Sequence, residues 1–359
     1  MSRVQFQLLG IGICMLVCGC AQDERHPAQL SWLTMGTVAA VQSGQAADVT
    51  AVRDLARETF DTLEHVFSTW TETSELARVN ATAGSPQEYP CSRDLGALLV
   101  TTLDVTRASD GAFNPLVGAI MRAWGFNGAQ SMVALPSEAL LREACAQADW
   151  KGVQLHVRDQ VVYVRLDKPG MRLDLGGIAK GYAVDRAFER VKAAGYTNAL
   201  IDLGGNLRAT GEAVPGRGGW RVGIRNPFEG TALVGTFLLH EGEATATSGN
   251  YERFVEIHGV RYSHIMDART GYPVRGMAGV TILAPTAVLA DALSTTLFVL
   301  GPERGAQVLA LYPGCEALWI PDDPAALTVL ATPGFAERLT PAGKTAFSLR
   351  IIQPFKTEK

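Results

Sequence analysis

The sequence has no long run of charge of either sign. Its 32 Lys and Arg are set against 36 Asp and Glu, giving a formal net charge of −4 over 359 residues. Nothing in it suggests a nucleic-acid partner, which calls for a basic patch or stripe, although a few local donors can still hold a single anionic ligand. Paired cysteines are missing as well. Beyond the first twenty residues only Cys91, Cys145 and Cys315 remain, an odd number at wide spacings that is neither a disulfide framework nor a zinc pattern; they read as buried thiols. The one strongly apolar run, Leu8 to Val17, is too short for a convincing transmembrane helix. Neither the dinucleotide fingerprint of a Rossmann unit nor a Walker A loop occurs, because the glycine spacings do not match. No composition break marks a linker within 32–350. The tetrapeptide Asp-Leu-Gly-Gly appears at 174–177 and again at 202–205, but the flanks differ and no repeat is assigned.

What is present begins with the N-terminus. Arg3 precedes the apolar run, which ends at Val17-Cys18-Gly19-Cys20 and gives way to polar residues. This pattern reads as a bacterial lipoprotein signal over 1–19 with Cys20 as the acceptor, in preference to an ordinary secretory signal that happens to carry cysteines. A lipid on Cys20 would hold the chain at a membrane, exported and facing the periplasm or cell exterior. Residues 20–31 read as a tether and 32–350 as one domain. A composition of 47% hydrophobic and 19% charged residues is ordinary for a globular chain long enough to bury a sizeable core.

Periodicity predicts a strand with a tight turn at Gly36 over 33–42. It predicts helices from Asp48 to Phe67 and from Asp94 to Ser109, and a loop with a short helix in 127–150. A hairpin follows at 153–157 and 161–166. Met171–Leu175 reads as a short apolar strand running into a helix from Ala179 to Ala194 that stops at Gly195. Further strands are expected at 198–203, 219–225, 232–240, 253–258, 260–265, 278–283, 316–320 and 327–331, with helices over 286–300 and 303–312. Antiparallel hairpin signals dominate the second half, so the fold class is α+β, a single compact unit with two lobes.

Four groups of residues can carry chemistry. In DLGGIAKG, Asp174 ends a strand, glycines form a turn, and Lys180 sits in the first turn of a helix, where free amides and a lysine favour an anion such as phosphate. More often such a segment is a plain strand–helix turn. Asp291 and Thr295 in ADALSTT lie four apart on one helix face and offer hard oxygens suited to Mg²⁺. By spacing alone they fit a polar surface face, yet the surrounding helix is apolar almost all round, and a carboxylate there needs a partner. His264, leading into an Asp-x-x-Thr-Gly turn, is a candidate general base. Trp70 and Phe113 can pack on a flat ring system, or simply in the core.

In order and wording these segments resemble one family, the ApbE-type FAD:protein FMN transferases, also described as thiamine-biosynthesis lipoproteins. The resemblance runs from about Leu33 to about Gly314. It rests on Met35-Gly36-Thr37, FSTWTETSELARVNA at 67–81, DGAFNPLVG at 110–118, LDLGGIAKGYAVDRA at 173–187 and DLGGN at 202–206. It continues through SGNYERF at 248–254, YSHIMDARTGYP at 262–273 and ADALSTTLFVLG at 290–301. It implies an ApbE-like, T-fold-like α+β domain with FAD in a cleft between lobes. Met35, Trp70, Ala112, Phe113, Asn114, Asp174 and Lys180 would line the FAD, with His264 and Ile265 near it. Mg²⁺ would take oxygens from Asp291 and Thr295 and the carbonyl of Gly177. Position 114 is often Asp in the family and is Asn here. The implied reaction moves the FMN half of FAD onto a Thr or Ser hydroxyl of another protein, an exported or membrane redox protein, and releases AMP; His264 and Asp291 are the expected catalytic residues. Two other outcomes use the same site: hydrolysis of FAD to FMN and AMP, and FAD binding without turnover.

Overall fold

The computed structural model describes residues 26–126, 134–343 and 345–354; the expected signal segment and Cys20 lie outside them. Eight helices are assigned among these residues: α1 Val49–Phe67, α2 Glu75–Ala81, α3 Arg93–Ala108, α4 Gly118–Ala123, α5 Glu138–Gln147, α6 Ala179–Ala193, α7 Ala287–Leu309 and α8 Pro333–Arg338. Local chemistry explains several starts. Ser74, Ser92 and Ser137 each accept a backbone N–H three residues on, capping α2, α3 and α5. Helix α1 buries Val49, Val52, Ala56, Phe60, Leu63 and Phe67, the face its three-and-four spacing predicts. The helical span from Ala287 is broken at Gly301, whose φ is 72° just before Pro302, which accounts for the two helices read from the sequence.

A nine-stranded sheet forms the centre. Its spatial order is Ala28–Thr34, Thr37–Ser43, Ala199–Leu203, Asn206–Thr210, Ala244–Gly249, Met277–Ala284, Glu316–Pro321, Thr328–Ala331 and Ser348–Ile351. Every pairing is antiparallel except the last. The first hairpin turns through Met35 (φ 48°) and Gly36 (φ 70°), two left-handed residues in succession, as a two-residue turn that matches strand twist requires. Its register starts at Ala28 opposite Ser43. The fold therefore begins inside the stretch expected to be a tether, because Ala28 to Ser31 already pair in the sheet.

The alternation of side chains puts two layers on the sheet. Ala317 and Trp319 face α7, whereas Leu318 and Ile320 of the same strand face a small sheet built from Trp220–Arg225, Leu233–Leu239 and Thr340–Pro341. Met277–Ala284, covered on both faces, is buried at every residue. Helices α1, α3 and α6 close a separate apolar core against the first strands of the sheet. The mixed, largely antiparallel single domain agrees with the α+β reading.

Met171–Leu175 is not a strand. Met171, Leu173 and Leu175 are buried, which explains the apolar alternation, but no strand among the described residues pairs with them. The Asn80 side chain takes the place of a ladder partner, accepting from Leu173 N at 2.7 Å and donating to Leu173 O at 3.0 Å. Asp174 N donates to Pro115 O at 2.7 Å. The segment is held extended and delivered to the start of α6 by these bonds.

Candidate active site

The site forms where α6 meets α7. Gly181, in the first turns of α6, permits the approach: a Cβ there would lie 2.2 Å from Ala287 O and 2.7 Å from Asp291 Cβ. Asp291 is 4% exposed. Its Oδ2 accepts Gly181 N at 2.9 Å, and its Oδ1 lies 3.6 Å from Lys180 Nζ. Lys180 Nζ also donates to Gly176 O at 2.9 Å, so the lysine folds back over the glycine turn. Asp174 Oδ1 accepts Gly176 N at 2.9 Å and fixes the turn from the other side.

Gly177 explains why the turn needs glycine at that point. A Cβ would meet Thr295 Oγ1 at 3.1 Å and the Phe113 ring at 3.3 Å. Gly177, Thr295 and Phe113 therefore converge, and Asp291 sits one helical turn before Thr295 on α7. Ser248 Oγ lies 3.4 Å from Thr295 Oγ1 and 2.8 Å from Ser294 Oγ. Ser294 in turn donates to Asp291 O at 2.9 Å. Among the described residues no three His, Cys, Asp or Glu side chains converge. The set is one buried carboxylate, a hydroxyl and the backbone at Gly177. Hard oxygens of this kind suit Mg²⁺, which keeps waters and takes phosphate oxygens, better than a softer metal.

Phe113 reaches the site because α3 ends in a left-handed pair, Asp110 (φ 49°) and Gly111 (φ 75°), and Phe113 N donates to Ser109 Oγ at 3.1 Å. Ala112 and Phe113 are both buried. Asn114 next to them is committed to the fold: Nδ2 donates to Ala148 O at 2.8 Å and Oδ1 accepts Leu116 N at 2.9 Å. A carboxylate could not make the first bond, so Asn at this position ties two segments where Asp would not. Met35 occupies the first hairpin turn, partly buried against the helical core. Trp70 follows α1 and is 54% exposed.

His264 and Arg253 flank a short hairpin, Phe254–Ile257 with Val260–Ser263, and stand opposite each other at its open end. The carbonyl of Arg253 accepts from His264 N at 3.0 Å and from His264 Nδ1 at 3.1 Å. A carbonyl only accepts, so Nδ1 carries the proton and the free lone pair is on Nε2. Desolvation, followed by the positive charges of Arg253 and Lys180, holds the imidazole well below its ordinary value, at about 3. Ile265 beside it is buried against α7 and its sheet.

Two residues of SGNYERF stand out that sequence reasoning gave no role. Glu252 is exposed and lies within reach of the charges of Lys180, Asp291, Arg225 and Arg253. Its carboxyl is pushed up to about 7, with desolvation leading and the Asp291 charge adding, against Lys180, Arg225 and Arg253. Arg253 brings a guanidinium whose carbon lies 5.8 Å from the centre of the Trp70 ring. Arg253 is marked by standing across the hairpin from His264, a register set by the two-residue turn at His258 and Gly259; Glu252 carries no such signal in the sequence. A separate hollow elsewhere, lined by Lys192, Asn198, Glu212 and Glu241 among others, has its carboxylates already satisfied by Lys192 and by backbone amides, and offers no comparable chemistry.

The sequence pattern of the ApbE family matches residues 35–319. The chain belongs to the ApbE family. It is 36% identical over 361 residues to a FAD:protein FMN transferase of Treponema pallidum, covering 94% of this chain and 96% of that protein. The fold is similar to that of an ApbE protein from Thermotoga maritima, with a TM-score of 0.78 at 30% identity over 88% of this chain and 99% of the other. It is also similar to a flavin transferase ApbE from Vibrio cholerae, with a TM-score of 0.75 at 27% identity over 87% of this chain and 100% of the other. Within an ApbE domain, Gly177, Lys180, Asp291 and Thr295 make one cluster whose glycine turn Asp174 fixes, and His264, Arg253 and Trp70 make a second.

Proposed function

We propose that this chain is a Mg²⁺-dependent flavin transferase that splits FAD, places FMN on a Thr or Ser hydroxyl of a partner protein, and releases AMP. The observation that carries this is the meeting of a buried carboxylate, a lysine and a hydroxyl at a glycine turn, next to a histidine held neutral with Nε2 free.

Mg²⁺, held by Asp291, Thr295 and the carbonyl of Gly177, would supply positive charge to the pyrophosphate as its negative charge shifts. Lys180 adds a point charge from the helix start. In the transfer, the acceptor hydroxyl oxygen forms a bond to the FMN-side phosphorus. The bridging P–O bond breaks, and AMP departs with that electron pair. His264 Nε2 takes the hydroxyl proton. At about 3 the imidazole is neutral at any working pH but a weak base. Two phosphate charges brought beside it raise its basicity toward the useful range, so the base strengthens when substrate is in place. Phe113 and Trp70 supply apolar and aromatic surface for the flavin or adenine rings.

The partner fits an exported or membrane redox protein, and Cys20 would tether the enzyme by lipid on the same side of the membrane. Among the described residues no helix is long and apolar enough to cross a membrane.

Single-turnover transfer tests the residue roles. Asp291→Asn keeps an acceptor for Gly181 N and so keeps the fold, yet it is expected to lower transfer by about 100-fold or more and to abolish the response to added Mg²⁺. His264→Ala is expected to cost about 100-fold or more in the chemical step. Near-normal rates in either variant contradict the assigned role.

A further inference from the structure

Beside His264 stands Arg253, whose guanidinium makes no hydrogen bond or ion pair among the described residues. Lys180 is engaged with Gly176 O and Asp291, and His264 is neutral at working pH. Arg253 differs from both. Its carbonyl is bound twice by His264, while its guanidinium has the Trp70 ring as its neighbour among the described residues. Asp174 and Glu252 attract it from beyond ion-pair distance, and desolvation is the largest influence on it. An exposed guanidinium near an exposed indole and outside ion-pair distance of any carboxylate among the described residues suits a planar, bidentate anion.

We propose that Arg253 is a substrate-binding residue for the anionic linkage of FAD, its N–H groups donating to non-bridging oxygens of the phosphate on the FMN side while its guanidinium stays beside the Trp70 ring. This rests on the reading of the site as one for FAD. It divides the work by geometry: one backbone position both orients the imidazole through its carbonyl and, through its side chain, holds the phosphorus that the imidazole's substrate attacks. Lys180 and the Asp291 cluster then serve the other side of the linkage.

Binding measured without turnover tests it. Flavin fluorescence titrations in the presence of a chelator compare FAD with riboflavin, which has the ring but no phosphate, for the wild-type chain, Arg253→Gln and Arg253→Lys. The wild type is expected to bind FAD more tightly than riboflavin. Arg253→Gln is expected to raise the Kd for FAD by roughly 10- to 100-fold, the size of hydrogen bonds to a charged group, and to leave riboflavin affinity within about twofold, which also shows that the variant is folded. Arg253→Lys is expected to recover part of the loss, because it keeps the charge and loses the fork. Equal loss for both ligands in Arg253→Gln would make Arg253 a support for the aromatic shelf alone and overturn the proposal. Unchanged FAD affinity would overturn it too. A wild-type chain that binds FAD no better than riboflavin would overturn the FAD reading itself, a result distinct from the other two.

Discussion

At the residue scale, position decides which of several carboxylates is left available for chemistry. Asp291 is nearly closed off from solvent, has one oxygen fixed by Gly181 N, and presents the other toward Lys180. Asp185, on the same pair of helices, is instead consumed by structure: it accepts from Ala287 N and Val288 N and pairs with Arg208. Glu252 is a third case. Its folded carboxyl lies at about 7 against an ordinary 4.5, so the folded state binds the proton more tightly than the unfolded chain does. Its contribution to stability is fully present below the unfolded value and is lost as pH rises through 7. Glu252→Gln is therefore expected to raise the melting temperature relative to wild type more at about pH 8 than at about pH 4. A difference that is flat or larger in acid contradicts the assignment.

The element scale shows what the sequence disclosed and what it concealed. Helices α1, α3 and α6 were legible because each carries an apolar face at helical spacing and ends at Ser, Gly or a polar turn. Asn206–Thr210 and Ala244–Gly249 were not, being short and rich in Thr, Ala and Asn; they are strands because the strands beside them supply partners on both sides. Met171–Leu175 misled in the opposite sense, since burial gave it a strand's pattern while the Asn80 amide supplied its hydrogen bonds. The four-residue spacing puts Asp291 and Thr295 on one face but by itself fits a polar surface face, and their metal role came from the resemblance; the opposition of Arg253 and His264 follows from the two-residue turn at His258 (φ 52°) and Gly259 (φ 75°), which sets the register of a hairpin whose strands the sequence already suggests. The α6–α7 junction gives a test at this scale. In a helix interior Ala is ordinarily favoured over Gly by about 1 kcal/mol. Gly181→Ala is expected instead to destabilise by about 2 kcal/mol or more, because its Cβ meets backbone, which cannot repack as a side chain can. Urea denaturation checks this, and an unchanged or higher midpoint contradicts it.

At the scale of the whole molecule, a single sheet with helices on one face and a smaller sheet on the other fixes the relative placement of three sequence-distant segments. The glycine turn at 174–177, the SGNYERF and YSHIMD segments flanking one hairpin, and the α7 cluster meet because α6 and α7 pack side by side against that sheet. Family membership and fold follow from this frame, and the proposed reaction follows from what the frame brings together. The most direct test incubates the chain lacking residues 1–20 with FAD and a Thr-bearing flavin-acceptor domain, with and without Mg²⁺, and measures both AMP and covalently attached flavin. The account predicts AMP formed only with Mg²⁺ and matched mole for mole by FMN on the acceptor; bound FAD with no AMP released under any of these conditions would contradict it.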